Sequence, residues 1–338
     1  MRVLVYEHFT HLGAGRAPAP LRRAGGAMWR AVVRDLTGLP GIRVGGPGRG
    51  ERSVERALAA ADAALFIAPE SRRTLERLVA RASRRSALLL GPGPRSIRLA
   101  ADKLLCARML RAAGIATPEP ARPDRLGGPI VLKPRRGCGS EGVVVARSAR
   151  ERRRGRRRAA AVAGRDGVLA EEFVSGPAGS ASFLVRSGSA ADRPGDLLFL
   201  GLGRQRITGR SRLVYRGGAL PWEPAGARAA AAMARRAVAA LARAGGDLRG
   251  FVGVDLVLAA RGPVIVEINP RLTSSYLGLR RRFGPALSRA MLRAARGERL
   301  PRRLRARGRA RFLAEGEVRF DAAPRKRRPS RHAPQGTG

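Results

Sequence analysis

The residue types best suited to ionic chemistry are those that this sequence has almost lost. Lysine occurs three times, at Lys103, Lys133 and Lys326, and asparagine once, at Asn269, whereas arginine takes nearly every other basic position. We attribute this bias to a drift in coding composition. Where such drift has removed most residues of one type, we expect the remaining ones to lie at positions that no other residue type can fill. Lysine is a compact point charge whose space a planar guanidinium cannot occupy. Asparagine offers a neutral carbonyl oxygen that suits a hard cation such as Mg²⁺. These residue types predict an ATP site, in which two lysines bind the phosphates and an acid and an amide bind the metal.

A glycine-rich segment follows Lys133. Residues Gly137–Gly142 match G-x-G-x-x-G, a dinucleotide pattern that has meaning only where it opens a helix after a strand. Here the β-branched run Val143–Val145 follows, so we predict a hairpin loop between two antiparallel strands. Glycines let the backbone approach a phosphate and turn N–H groups toward it. We favour a phosphate-covering flap, and a nicotinamide site and an ordinary glycine turn stay open as alternatives.

A second polar group lies on two apolar runs that we predict to be neighbouring strands. Because side chains alternate along a strand, Glu267 and Asn269 share one face. Together with Asp255, they provide two acids and an amide oxygen, which suit a Mg²⁺ that substrate phosphates also hold. The alternative is a pair of solvent-facing acids. Arg271 follows within reach of a phosphoryl group bound there and is predicted to stabilise its charge.

The elements around these residues predict an α/β protein in two parts and a tail. In residues 1–98, strands alternate with helices, which predicts a parallel sheet covered on both faces. The segment Gly91–Pro94 breaks the chain. Residues 99–300 hold the strands of the candidate site and a long alanine-rich helix. Residues 301–338 are Arg-rich with little periodicity and predict a basic, disordered tail.

The net charge of +43 is extreme and suggests a polyanion as a partner. Two observations weaken that interpretation: the arginines are spread over the whole length, and aromatic residues, at 4%, are too few to stack on bases. We therefore favour compositional drift as the cause, with nonspecific nucleic-acid binding expected at low salt.

The remaining composition predicts a soluble, cytoplasmic protein. The two cysteines, Cys106 and Cys138, suggest neither a disulfide framework nor a zinc site. The apolar run after Met1 is too short for a signal peptide. No stretch approaches the roughly 20 apolar residues that span a bilayer, so no membrane partner is expected.

In combination, these segments resemble the ATP-grasp superfamily over about Ala101–Gly278. The motifs that carry the resemblance occur in the expected order and are Asp102-Lys103, Ile130–Pro134 with its glycine-rich loop, Glu171–Gly176, Gly253–Asp255 and Glu267–Arg271. The resemblance implies an ATP-grasp fold with the nucleotide between two antiparallel sheets. It also implies ATP- and Mg²⁺-dependent phosphorylation of a carboxylate, after which an amine attacks the acyl phosphate.

The resemblance also assigns residues. It implies that Lys103 and Lys133 bind the phosphates of ATP. The loop that covers those phosphates contains Gly137, Gly139, Ser140 and Gly142. The hinge residues that line the nucleotide are Glu171, Glu172 and Val174, with the backbone of the last two at the adenine edge. The residues implied to hold Mg²⁺ are Asp255, Glu267 and Asn269.

The N-terminal half is similar to a narrower group, the tyramine–glutamate ligases of methanofuran-type cofactor synthesis. The similarity lies in Val5–Phe9, Gly26–Met28 and Asp35, and again in Glu267–Tyr276. It implies that glutamate is joined to tyramine or a related amine; another amine or a peptide acceptor is the alternative.

One residue departs from the ATP-grasp pattern. Ala178 stands about where many ATP-grasp proteins carry an acid for the ribose hydroxyls. This departure and the net charge of +43 keep open an alternative of another class: a degenerate ATP-grasp protein that acts as a basic nucleic-acid-binding module.

Overall fold

The computed structural model of the 338-residue chain describes residues 1–11, 18–48, 51–121, 128–191, 193 and 195–322. In chain order, the strands are β1 (Arg2–Glu7), β2 (Arg43–Gly45), β3 (Ala63–Ile67), β4 (Leu88–Leu89), β5 (Ile130–Pro134), β6 (Val144–Ala146), β7 (Val168–Glu172), β8 (Ala178–Val185), β9 (Leu197–Thr208), β10 (Val214–Leu220), β11 (Gly250–Ala259), β12 (Gly262–Asn269), β13 (Arg309–Leu313) and β14 (Val318–Asp321). The helices are α1 (His8–His11), α2 (Ala19–Thr37), α3 (Glu51–Ala59), α4 (Thr74–Arg84), α5 (Pro94–Ala101), α6 (Lys103–Ala112), α7 (Ala149–Ala163), α8 (Ala227–Gly245), α9 (Ser275–Phe283) and α10 (Pro285–Ala295).

The N-terminal part is a parallel sheet in the order β2-β1-β3-β4. Alternation along β1 sends side chains into two separate cores. Val3 and Val5 pack with α2 residues, whereas Leu4 and Tyr6 pack with residues of α3 and α4. The predicted parallel sheet covered on both faces is therefore confirmed.

The remainder is built on two antiparallel sheets. One has the order β12-β11-β8-β9-β10-β13-β14, and the smaller has the order β6-β5-β7. The alanine-rich helix α8 covers one face of the larger sheet, where Ala234, Val238 and Leu241 are fully buried. Helices α9 and α10 pack into the core that also contains the α2 face of the N-terminal sheet. The predicted α/β fold class, with a parallel sheet followed by antiparallel sheets, is confirmed.

The segment from residue 301 differs from the expectation of disorder. Strands β13 and β14 pair with each other, and β13 pairs with β10 at the edge of the larger sheet. In Arg309–Leu313 the burial alternates, with Ala310 and Phe312 inside. Arg309 and Arg311 alternate with these residues and face outward. Because the segment is rich in arginine, this period-two pattern was not recognised and the segment was predicted to be a disordered tail. The rest of the prediction, residues 323–338, lies outside the described residues.

The way the chain enters α6 was not predicted from the sequence. Two helices, α5 and α6, meet at Asp102, and Pro94 occupies the first turn of α5, where its missing N–H costs nothing. Asp102 caps α6 by accepting a hydrogen bond from the Leu105 amide at 3.2 Å. Of the helices described, none is long and apolar enough to cross a membrane.

Candidate functional site

The two predicted metal-binding acids face each other on paired strands. In the antiparallel pair β11–β12, Asp255 lies opposite Glu267 and Gly253 lies opposite Asn269. The Asn269 Nδ2 donates to Asp255 Oδ2 at 3.0 Å, which leaves the amide oxygen for a cation. Gln205, from β9, donates to the other Asp255 oxygen at 2.9 Å. The structure thus brings the three predicted residues together and adds Gln205, which the sequence analysis did not find.

The electrostatics of this carboxylate pair favour a cation. Burial, and then the charge of Glu267, raise the pKa of Asp255 to about 7. Burial would also raise the pKa of Glu267, but the cations of Lys103, Lys133 and Arg271 outweigh it and lower that pKa. A divalent cation would relieve the repulsion between the two carboxylates.

The donor set fits Mg²⁺ held jointly with substrate phosphates. In the described part of the chain, no three His, Cys, Asp or Glu side chains cluster as a metal site. A cation bound between β11 and β12 would have Asp255, Glu267 and the Asn269 amide as its protein ligands. Mg²⁺ ordinarily takes few carboxylates and completes its shell with water and phosphate oxygens.

Lys103 connects β12, which carries two of the predicted metal ligands, to the glycine-rich loop. Its Nζ donates to the Gly137 carbonyl at 2.9 Å and lies 3.3 Å from Glu267 Oε2. Burial alone would lower the pKa of Lys103, but the carboxylates of Glu267 and Glu70 outweigh it and raise the pKa. The ammonium is therefore charged and placed beside the loop predicted to cover phosphate.

Lys133 is held from the opposite sheet. It lies on β5, and its Nζ is 2.5 Å from Glu171 Oε2 on β7. Both side chains are nearly inaccessible, at 5% and 10% exposure. A buried charge is costly unless an opposite charge compensates it. Glu171, predicted at the nucleotide hinge, therefore pairs directly with a lysine predicted to bind phosphate.

The glycine-rich loop has the predicted hairpin form. Strands β5 and β6 flank it and pair antiparallel, with Ile130 opposite Ala146. Four of its residues have positive φ: Gly137, Gly139, Ser140 and Gly142. At Gly142, an added Cβ would lie about 3.0 Å from Pro134 and 3.1 Å from Val162, so that position also lacks space for a side chain. The dinucleotide interpretation fails because a strand follows the loop and not a helix.

Cys138, in this loop, is not a nucleophile at neutral pH. Burial raises the pKa of its thiol to about 11. The reactive form of cysteine is the thiolate, so the thiol acts here as a small, protonated side chain.

In the predicted hinge, the amide and the carboxylate of Glu172 both contact other parts of the protein. The Glu172 amide donates to the Glu119 carbonyl at 2.9 Å. The Glu172 carboxylate pairs with Arg261, and this hydrogen bond lowers its pKa. Val174 follows the end of β7, and Ala178 begins β8 opposite Val257. Because the Glu172 N–H is already paired, the adenine contact predicted for Glu172 would have to come from its carbonyl.

Arg271 has a partner that the sequence analysis missed. Its Nε and Nη2 donate to the two Glu70 carboxylate oxygens at 2.8 and 3.2 Å. Glu70 follows β3 at the carboxyl end of the parallel sheet, the edge where open α/β sheets bind ligands. The sequence contains a pattern that could have predicted this residue, because an acid follows closely after an apolar, buried strand.

The comparison with known families decides the classification. A family model described as an ATP-grasp domain matches residues 100–275, and one described as a pre ATP-grasp 3 domain matches residues 33–97. The chain belongs to the ATP-grasp family. Members of this family are ATP-dependent ligases that form C–N bonds and typically use ATP with Mg²⁺.

Solved structures share the ATP-grasp fold of this chain. A protein from Archaeoglobus fulgidus assigned to the ATP-grasp superfamily has 24% identity and a TM-score of 0.66, with 92% of each chain covered. The biotin carboxylase domain of Hydrogenobacter thermophilus 2-oxoglutarate carboxylase, solved with MgADP, ADP and bicarbonate, has 17% identity and a TM-score of 0.69, covering 91% of this chain and 73% of that one. Thermotoga maritima phosphoribosylamine–glycine ligase has 20% identity and a TM-score of 0.65, covering 93% and 80%. No curated protein matches the sequence.

Proposed function

We propose that the protein is an ATP- and Mg²⁺-dependent carboxylate–amine ligase that works through an acyl phosphate. The observation that carries the proposal is the convergence of Lys103 and Arg271 with the carboxylate pair of Asp255 and Glu267. Cations that bind phosphate and acids that bind a metal are the two halves of a phosphoryl-transfer site.

A division into residues 1–98 and 99–300 is part of the proposal and is supported by the two family matches, at 33–97 and 100–275.

In the first step, a substrate carboxylate oxygen attacks the γ-phosphorus of ATP, and the bond from that phosphorus to the ADP oxygen breaks. Lys103, Lys133 and Arg271 offset the charge on the phosphate oxygens. The loop of Gly137–Gly142 excludes water from the acyl phosphate. When bound by Asp255, Glu267 and Asn269, Mg²⁺ supplies further charge neutralisation.

In the second step, the amine nitrogen attacks the acyl carbon. The C–N bond forms, the C–O bond to phosphate breaks, and the nitrogen loses a proton. The protein contributes position and charge and forms no covalent bond to substrate. The similarity of Val5–Phe9 and Glu267–Tyr276 to the tyramine–glutamate ligases supports glutamate as the carboxylate and tyramine or a related amine as the acceptor. A glutamate ligase for another amine or a peptide is the alternative.

The nucleotide site is tested by thermal melting in moderate salt, with and without a non-hydrolysable ATP analogue and Mg²⁺. A ligand at a hundredfold excess over its Kd stabilises the native state by about 2.7 kcal/mol. We expect a Mg²⁺-dependent rise in Tm that the Glu267→Ala variant loses. Glutamate, ATP and hydroxylamine then test the acyl phosphate, which hydroxylamine traps as a hydroxamate, and tyramine is tested as the acceptor by phosphate release.

Nucleic-acid binding is the second candidate, and α7 is the observation that favours it. Six of its arginines are exposed: Arg150, Arg153, Arg154, Arg156, Arg157 and Arg158. A basic helix face is a surface for a polyanion. Salt-dependent retention on DNA, with neither Mg²⁺-dependent melting shift nor hydroxamate, would support a degenerate nucleotide fold in place of a ligase.

A further inference from the structure

Glu70 brings a buried charge from the N-terminal domain into the phosphate site. It follows β3, and its side chain is only 4% exposed. The carboxylate holds Arg271 with two hydrogen bonds across 201 residues of chain. Its charge also acts on Lys103, whose pKa it helps to raise. Glu70 thus faces two of the cations predicted to bind phosphate.

The contacts of Arg271 fix the direction of its guanidinium. Nε and Nη2 are bound by Glu70, and Nη1 donates to the Leu272 carbonyl at 3.1 Å. A guanidinium has five N–H groups, so the contacts made by the described residues use three. One N–H on each terminal nitrogen is left for a ligand. Two parallel bonds to a carboxylate hold the guanidinium plane more firmly than a single bond does.

A purely structural role would not require this arrangement. A buried ion pair stabilises a fold little, because desolvation of the charges offsets their attraction. A second pair already joins the same two parts of the chain: Arg280 of α9 donates to Asp35 of α2 from Nε at 2.8 Å and from Nη2 at 2.6 Å. Glu70–Arg271 differs from it in its surroundings: the charge of Arg271 acts to lower the pKa of Glu267, a predicted metal ligand, and the pKa of Cys138 in the glycine-rich loop.

We propose that Glu70 is a positioning residue, which aims the free N–H groups of Arg271 at the phosphoryl group in transfer. The inference rests on the proposed function and adds to it a residue of the N-terminal domain. Glu70 acts through Arg271, so its loss should weaken binding of the transferred phosphoryl group and leave binding of the nucleotide itself almost unchanged.

The experiment compares two affinities in each variant: that for MgADP alone, and that for MgADP with fluoroaluminate, which imitates the transferred phosphoryl group. The variants are Glu70→Gln, which keeps the shape and removes the charge, and Glu70→Asp, which keeps the charge. Asp35→Asn is the matched control, because it breaks the other inter-domain carboxylate–arginine pair. Calorimetry gives each Kd, and melting confirms that each variant is folded.

The gain from fluoroaluminate is the ratio of the Kd for MgADP alone to the Kd for MgADP with fluoroaluminate. We expect Glu70→Gln to change the Kd for MgADP alone by less than about twofold. The same variant should reduce the gain from fluoroaluminate by about 10- to 100-fold, the usual range for a charge-assisted hydrogen bond. Glu70→Asp should recover part of that gain, and Asp35→Asn should keep all of it. An undiminished gain in Glu70→Gln, or equal losses in Glu70→Gln and Asp35→Asn, would overturn the positioning role while leaving the ligase proposal intact. A wild-type protein that binds no MgADP would overturn both.

Discussion

Lys133 and Glu171 contact each other across the three-stranded sheet, with 2.5 Å between Nζ and Oε2. They are diagonal neighbours, because Val131 lies opposite Glu171 and Lys133 lies opposite Leu169 in the β5–β7 register. Diagonal residues on one face of a sheet lie within reach of long side chains. The pairing links the predicted hinge to the lysine predicted to bind phosphate and gives Glu171 its role in the proposed site, which is to hold the Lys133 side chain in place.

We expect Lys133→Arg to reduce affinity for a MgATP analogue by about tenfold or more. The site is nearly closed, and a planar guanidinium exceeds the space of an ammonium 2.5 Å from its partner. Isothermal calorimetry measures the effect. Lys326→Arg, the same substitution at a lysine outside the described residues, is the matched control and should bind as wild type. Wild-type affinity in Lys133→Arg would contradict the inference from surviving lysines.

We expect Asn269→Asp to lower the free energy of unfolding without Mg²⁺ by about 1–3 kcal/mol, the cost of leaving a buried polar group unsatisfied. The new carboxylate cannot donate to Asp255 Oδ2, and it adds a third acid beside Glu267. Mg²⁺ should restore part of the loss, because the cation binds the native state. Urea unfolding with and without Mg²⁺ provides the measurement. The prediction fails where Mg²⁺ leaves the stability of this variant unchanged.

We expect Asp35→Asn to destabilise the protein by about 2–4 kcal/mol, since removing one partner leaves a largely buried charge uncompensated. Asp35 accepts hydrogen bonds from Tyr276 Oη at 2.6 Å and from Arg280, and both charged side chains are 16% exposed. Denaturant unfolding tests this. Glu298→Gln, which breaks an exposed pair with Arg293, is the control and should cost at most about 1 kcal/mol. Equal effects of the two variants would show that the loss of Asp35 does not leave Arg280 as an uncompensated buried charge.

We expect His8 to make stability depend on pH. Burial, and then the charge of Arg77, lower the pKa of His8 below its ordinary value of 6.5. Between the two pKa values the unfolded chain binds more protons than the native state. The free energy of unfolding therefore falls as pH decreases through 6.5.

The His8→Gln variant should show a smaller fall in stability between pH 7 and pH 5, measured by urea midpoints. His332→Gln, at a histidine outside the described residues, is the control and should keep the wild-type dependence. An identical pH profile in wild type and His8→Gln would show that another group carries the effect.

Local spacing was sufficient to predict much of the candidate site. The period-two pattern placed Glu267 and Asn269 on one face, and the strands β11 and β12 contain the two runs predicted as strands. The strand after Gly142 predicted the hairpin, because the helix that a dinucleotide loop requires was missing. These inferences hold because strand periodicity and turn conformation are set by neighbouring residues.

The partners of those residues were decided by tertiary structure. Glu70 meets Arg271 across 201 residues, and Gln205 meets Asp255 across 50. Likewise, β13 forms a strand because it pairs with β10, although its local composition predicts a disordered tail. The sequence alone determined which chemical groups are available and on which face of each strand they lie. Which cation meets which carboxylate depended on how distant segments of the chain pack, because hydrogen bonds between distant segments leave no periodic trace in the chain.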